Sequence, residues 1–492
     1  MRNYFIPSAI VLALSACATA PTHDSKVSTT LTATSEGRIE DAIAQLDSQT
    51  QGSNKTDFLL NLEKAELLRI GTRYKESLAA LEVADVQVNQ WEATAKSEPS
   101  KLMGQIGATI MGDTSRTYEG QDYEKVMLTT RMAMNRLSLG DIDTARVDIK
   151  RTHEREAVIA EFRSKETLAA ETEAKDKGVT SSSKELNGYP VETLNDPEVL
   201  KLKNGYQNAL SHYLAGFVYE ALDEPSLAAP GYRKAIELRP GLPMLEEGLR
   251  GLDQRTSFRR QKGVTDVLFV IEAGNAPARQ SKKITLPIPT GRGMVTIPFT
   301  FPVIYPNQNA PYVNQIGLGK MVLSTALITD FNVMARKALK DELPGIQIRA
   351  ATRAIAKALI QDQVNKKFGA LAGMVANVAA VATESPADDR MWRALPERVF
   401  IARSFVPPGE YDIQLPDQPD GVKKLTVGGR YMIIPIRVFK GKTYFGEPAQ
   451  FGKIAAAPPA PATQGRTQAE AAKKEPKKKS KKAVVAPADT PK

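Results

Sequence analysis

From residue 36 to about Gln261, apolar side chains recur every three to four positions, the spacing that lines one face of an amphipathic helix. Beyond that point the pattern alternates with period two. Val264 to Ile271, Lys283 to Ile288 and Met294 to Ile304 read as strands, and Val399 to Val406, Glu410 to Leu415 and Arg430 to Phe439 resume the series. Pro287, Pro289, Pro298 and Pro302 confine their strands to edges or irregular pairing, because proline has no ladder donor. Turns are expected at Pro408-Gly409, Gly428-Gly429 and Gly291-Arg292-Gly293. A helical block from 320 to 383 interrupts the strands, with Pro344-Gly345 expected to separate one helix from the next. The pattern predicts an α+β multidomain chain: a helical domain over 36–261, then a β-sandwich-like domain over 262–452 with a helical insertion.

The helical half repeats itself. Gly216, Ala228, Tyr232 and Ala235 follow one another at intervals of twelve, four and three residues, as do Ala65, Ser77, Leu81 and Ala84, and Ala133, Ala145, Ile149 and Thr152. Small residues at such positions let two helices cross closely, and the apolar ones fill the gaps beside them, as in tetratricopeptide helix pairs. Tyr219 lies on the first helix of the best copy, Pro225 and Pro230 are expected to distort the start of its second, and Pro240 ends it. The copies begin 68 and 83 residues apart, so extra helices are expected between them and the scaffold is irregular.

The N-terminus changes the picture from fold to location. Arg2 precedes a short apolar run to Leu14, and Leu14-Ser15-Ala16-Cys17 matches a bacterial lipobox. Cys17 is the only cysteine in 492 residues, so it has no disulfide partner and acylation supplies its reason. Residues 1–16 are expected to be a signal peptide and 17–35, rich in Ser and Thr, a lipidated flexible tether. Ala18 after the cysteine favours the outer membrane by analogy with lipoprotein sorting.

The net charge of +10 is mostly a tail effect. Residues 455–492 hold eight lysines and one arginine against three acids, leaving +4 for the rest. The Pro/Ala/Lys segment 453–492 is expected to be disordered, and an exported protein has little reason to meet nucleic acid. The lysines from Lys473 to Lys482 suit an anionic surface or simple solubilisation.

Candidate chemistry is sparse. No phosphate loop, serine elbow or His-Glu-x-x-His motif is present, so neither metal nor cofactor is expected. Of three histidines, His23 falls in the tether, His153 reads as solvated and His212 as a packing residue. Arg349, Arg353 and Lys357 form a basic stripe suited to anion binding, or to pairing with Asp388 and Asp389 on a solvated face. Gly369 to Thr383 reads as a tightly packed interior helix, too short to span a bilayer. Trp392, between Arg390 and Arg393, reads as a buried anchor of the insertion to the sheet.

Several segments together carry a resemblance. The lipobox, Tyr123-Glu124-Lys125-Val126 with Gly140-Asp141 and Ala145-Arg146, His212-Tyr213-Leu214-Ala215-Gly216 with Tyr219-Glu220-Ala221, Leu343-Pro344-Gly345, and Asp389-Arg390-Met391-Trp392 with Leu395-Pro396 resemble a family of uncharacterised Gram-negative lipoproteins with tetratricopeptide-like helices. Members tend to be encoded near lipoproteins resembling activators of penicillin-binding proteins. The resemblance implies a role in cell-wall assembly or envelope maintenance, and carries over no functional residue beyond Cys17. The expected function is therefore an outer-membrane-anchored, periplasm-facing scaffold that binds an envelope protein or peptide. The alternatives are a structural module touching peptidoglycan or anionic lipid through tail and stripe, and a glycan-processing enzyme built on scattered carboxylates.

Overall fold

The computed structural model describes residues 22–104, 117–176, 188–252, 254–255, 263–290, 293–347, 350 and 387–452. The first helix overturns an expectation. Segment 17–35 is not a tether throughout: α1 (His23–Ser35) starts at Thr22, whose Oγ1 accepts from Ser25 N at 3.2 Å. Its polar composition hides an inward face of Val27, Thr30, Leu31, Ala33 and Thr34. The buried hydroxyls are satisfied, Thr34 by donating to Thr30 O at 2.9 Å and Thr30 by donating to Gln45 Oε1 at 3.1 Å.

The helices that follow before the strands include α2 (Ile39–Gln49), α3 (Phe58–Ile70), α4 (Tyr74–Ser97), α5 (Pro99–Gly104), α6 (Asp122–Ser138), α7 (Ile142–Asp176), α8 (Pro197–Lys201), α9 (Ala209–Ala221), α10 (Pro225–Leu238) and α11 (Pro243–Leu249). The three sequence repeats are the hairpins α3–α4, α6–α7 and α9–α10. Pro225 takes the first position of α10 and Pro230 lies inside it, so the helix is continuous where a distorted start was expected.

Each hairpin turns through three residues whose middle member has positive φ: Thr72, Gly140 and Asp223 at 60°, 80° and 59°. In each, the last turn residue donates its N–H to the carbonyl five positions back: Arg73 to Leu68, Asp141 to Arg136, Glu224 to Tyr219, at 2.8–2.9 Å. A fourth hairpin, α1–α2, has the same turn at Gly37 (φ 91°), with Arg38 N donating to Ala33 O at 2.8 Å. Counting seven residues back from the turn puts buried Thr30 where the other copies have Ala65, Ala133 and Gly216. The repeat therefore begins earlier than its small-residue pattern predicts.

The strands are β1 (Thr265–Ala273), β2 (Gln280–Thr290), β3 (Gly293–Val303), β4 (Gln315–Leu318), β5 (Met321–Ser324), β6 (Ala326–Asp330), β7 (Arg398–Val406), β8 (Gly409–Gln414), β9 (Val422–Val427), β10 (Tyr431–Val438), β11 (Thr443–Phe445) and β12 (Ala449–Phe451). The proline-rich pair β2–β3 makes a two-stranded sheet of its own, as the prolines require. The main sheet runs β11-β10-β1-β7-β6, with β12 also on β10; β1 is parallel to β10 and antiparallel to β7. A second sheet runs β5-β4-β8-β9.

β1 is buried on both faces. Val267, Phe269 and Ile271 point to a core shared with Ile316, Leu318, Ile413 and Leu425 of the second sheet, a sandwich-like contact. Leu268 and Val270 point the other way, into the core the helices build around Leu62, Leu128 and Phe217. The boundary expected at 261/262 thus divides no core: the described residues on either side of it belong to one compact unit. Alternation explains this, because a strand two-faced in burial must be covered by a layer on each side.

The insertion also differs from expectation. Residues 321–324 and 326–330 are strands, and helix begins at 331 and runs unbroken to 347 as α12 (331–347), through Pro344-Gly345. Buried Leu343 and Ile346 hold the helix across the proline, which costs one backbone hydrogen bond.

Candidate functional site

Buried charged side chains cluster at several places among the described residues, one of them where helices meet the main sheet. Glu272, on the helix side of β1, accepts from Arg69 Nη1 of α3 at 2.9 Å and is also bonded by Arg131 Nη1 of α6. Arg131 Nη2 bonds Glu66 at 2.9 Å. Arg437 of β10 donates through Nη2 to Gly274 O, Asn275 Oδ1 and Ala394 O at 2.7–3.0 Å. All five charged residues are buried. Burial pushes the Glu272 carboxyl up, but the guanidiniums of Arg131, Arg69 and Arg437 outweigh it and hold it at about 2.

A second cluster grips the Trp392 loop. Glu124 of α6 accepts from Trp392 N at 2.7 Å, while Glu63 of α3 accepts from Arg393 N and Ala394 N, both at 2.7 Å. Two carboxylates thereby hold three successive backbone amides. His23 of α1 bonds the same Glu63 at 3.0 Å, and Arg393 bonds Asp24 at 2.6 Å. Glu124 is deeply buried, and that burial pushes its carboxyl up to about 7 despite hydrogen bonds from Tyr118, Trp392 and Gln121.

A cleft of about 30 Å³ lies between the α9–α10 hairpin and edge strand β6. Lys203, Asn204, Glu237, Arg239 and Asp330 are among its lining, and Arg239 Nη2 donates to Leu327 O at 3.2 Å.

The sequence-predicted residues fare unequally. Cys17, Arg349, Arg353, Lys357, the Gly369 to Thr383 run and the lysine tail lie outside the described residues. Ala65, Ala133, Ala145, Gly216, Ala228, Tyr232 and Ala235 are buried at hairpin crossings, and Ser77 Oγ donates to Ala65 O at 2.6 Å. Tyr219 is half-buried, with the Arg146 guanidinium 5.7 Å from its ring centre, and Pro240 follows the end of α10. Trp392 is fully buried as expected, in a core shared by helices and main sheet, and its backbone N–H donates to Glu124 of α6. Asp388 pairs with Arg390 at 2.7 Å.

His212 is a buried packing residue, as its place in the repeat predicts. His153 is not solvated: its ring stacks on His212 at 4.8 Å and 7°, and burial lowers its pKa. His23 is not in a tether, since its side chain packs against Glu63. Sequence reading assigned no role to Glu63 or Glu124, which stand beside Lys64 and Lys125, nor to Glu272 and Arg437, each a lone charge in an otherwise apolar run of strand. That mismatch of charge and pattern was the available signal.

Among the described residues no group of three or more His, Cys, Asp or Glu side chains is arranged to hold a metal, and no helix is long and apolar enough to cross a membrane. No protein-family model, curated protein or solved structure matches the chain.

Proposed function

We propose that the chain is a lipoprotein anchored by acylated Cys17 to the periplasmic face of the outer membrane, where its tetratricopeptide-like hairpins dock an envelope protein or peptide. One observation carries the reading: the sole cysteine of 492 residues closes a lipobox. Four hairpins with one turn geometry support the scaffold half of it, since stacked helix pairs present side chains of defined spacing to a partner. The buried ionic clusters tie helices to sheet and so keep that surface rigid.

The cleft beside α9–α10 is the docking point in this proposal. Exposed Lys201 and Lys203 flank it, while Glu237, Arg239 and Asp330 offer donors and acceptors of both signs, a lining suited to an extended peptide backbone with polar side chains. The lipid restricts the scaffold to a surface, which raises encounter with partners held on the same surface. Cell-wall assembly machinery is the partner class that the family resemblance implies.

Labelling with palmitate and membrane fractionation test the anchor. Wild-type chain is expected to take up label and pellet with membranes, and Cys17→Ser to do neither; unlabelled wild type, or membrane-bound Cys17→Ser, overturns it. In-cell crosslinking tests the scaffold: Lys201→Glu with Lys203→Glu is expected to remove crosslinked partners seen with wild type, and an unchanged partner list overturns the cleft assignment.

A further inference from the structure

The ionic centre around Glu272 is not balanced. Three guanidiniums, of Arg69, Arg131 and Arg437, face two carboxylates, of Glu66 and Glu272, all at 6% exposure or less. One positive charge is left over in a place where water is largely excluded, which is costly without a counter-charge. The surplus falls on Arg437. Its Nη2 is fully engaged, but Nε and Nη1 have no hydrogen-bond acceptor among the described residues, and Nη1 stands 3.7 Å from Glu66 and 4.0 Å from Glu272.

Arg437 also lines a cavity of about 10 Å³, with Arg69, Glu272, Tyr74, Tyr444 and Gly446 around it. The phenols there are already committed: Tyr74 accepts from Glu447 N at 2.8 Å and Tyr444 donates to Thr34 O at 2.7 Å. Of the side chains around the cavity, only Arg437 has buried nitrogens without a hydrogen-bond partner among the described residues. A space of this size takes one water molecule or one small ion, and the surplus charge favours the ion.

We propose that this cavity is a binding site for one small monovalent anion, held by Arg437 Nε and Nη1 and neutralising the excess charge between helices and sheet. The anion is a structural ligand: it completes the junction of α3, α6, β1 and β10. Burial pulls the Arg437 pKa down to about 10, which leaves the guanidinium charged at neutral pH and the need for a counter-ion in force.

Thermal unfolding of the full chain is measured at constant ionic strength while methanesulfonate, too large for the cavity, is replaced by chloride. The midpoint is expected to rise with chloride, as for any ligand specific to the folded state. Glu66→Gln removes a negative neighbour and is expected to lower the half-saturating chloride by roughly tenfold; Arg437→Met is expected to abolish the dependence. A non-specific salt effect would move both variants as it moves wild type, and that result overturns the site. Should either variant fail to fold, chloride-35 line broadening with the wild type decides: broadening saturable by bromide supports the site, and its absence overturns it.

Discussion

Gly231 of α10 lies against the backbone of α9, and a Cβ there would stand 2.7 Å from Gly216 N and from His212 O. At Gly216 the same atom would meet the Tyr232 ring at 2.7 Å. Backbone of a packed helix yields less than a ring, so Gly231→Ala is expected to destabilise by about 3 kcal/mol and Gly216→Ala by about 2 kcal/mol, read from urea midpoints. Glu124 makes a different prediction. Its carboxyl keeps its proton to about pH 7 in the fold against 4.5 ordinarily. The folded state therefore binds more protons between these values, and the group's favourable contribution, whole below 4.5, is lost as pH rises to 7. Glu124→Gln keeps an acceptor for Trp392 N and is expected to flatten stability across that window; an unchanged slope between pH 5 and 7.5 would contradict the assignment.

At the scale of elements, the hairpin turns show what was legible. Gly140 announces a left-handed turn in the sequence, whereas Thr72 does not, because a β-branched residue at φ 60° is strained. Thr72→Gly is expected to stabilise the fold by roughly 1 kcal/mol, checked by denaturant midpoint. The repeat was readable wherever small residues mark the crossing, at Ala65, Ala133 and Gly216, and unreadable in α1–α2, where Thr30 stands at that position with a satisfied hydroxyl. Strands β1, β7 and β10 were readable from their apolar runs. The Pro344 helix was not, because burial of its neighbours overrides the local preference.

For the whole molecule, the sequence marked the change of period near residue 261 but not that strands beyond it share a core with the helices before it. Leu268 and Val270 of β1 belong to the helical core while Val267 and Phe269 belong to the other, so neither half can unfold without exposing the other. Hydrogen exchange in rising denaturant is expected to give α6 and β10 amides the same opening free energy; earlier loss in β10 would show separable domains. The docking of α1 has one more consequence. The chain from the acyl group proposed at Cys17 to Thr22, which caps α1, is five residue steps long and can span about 17 Å at most. The proposed anchor would therefore keep α1 near the headgroups, and it requires that whatever the body engages come down to the bilayer.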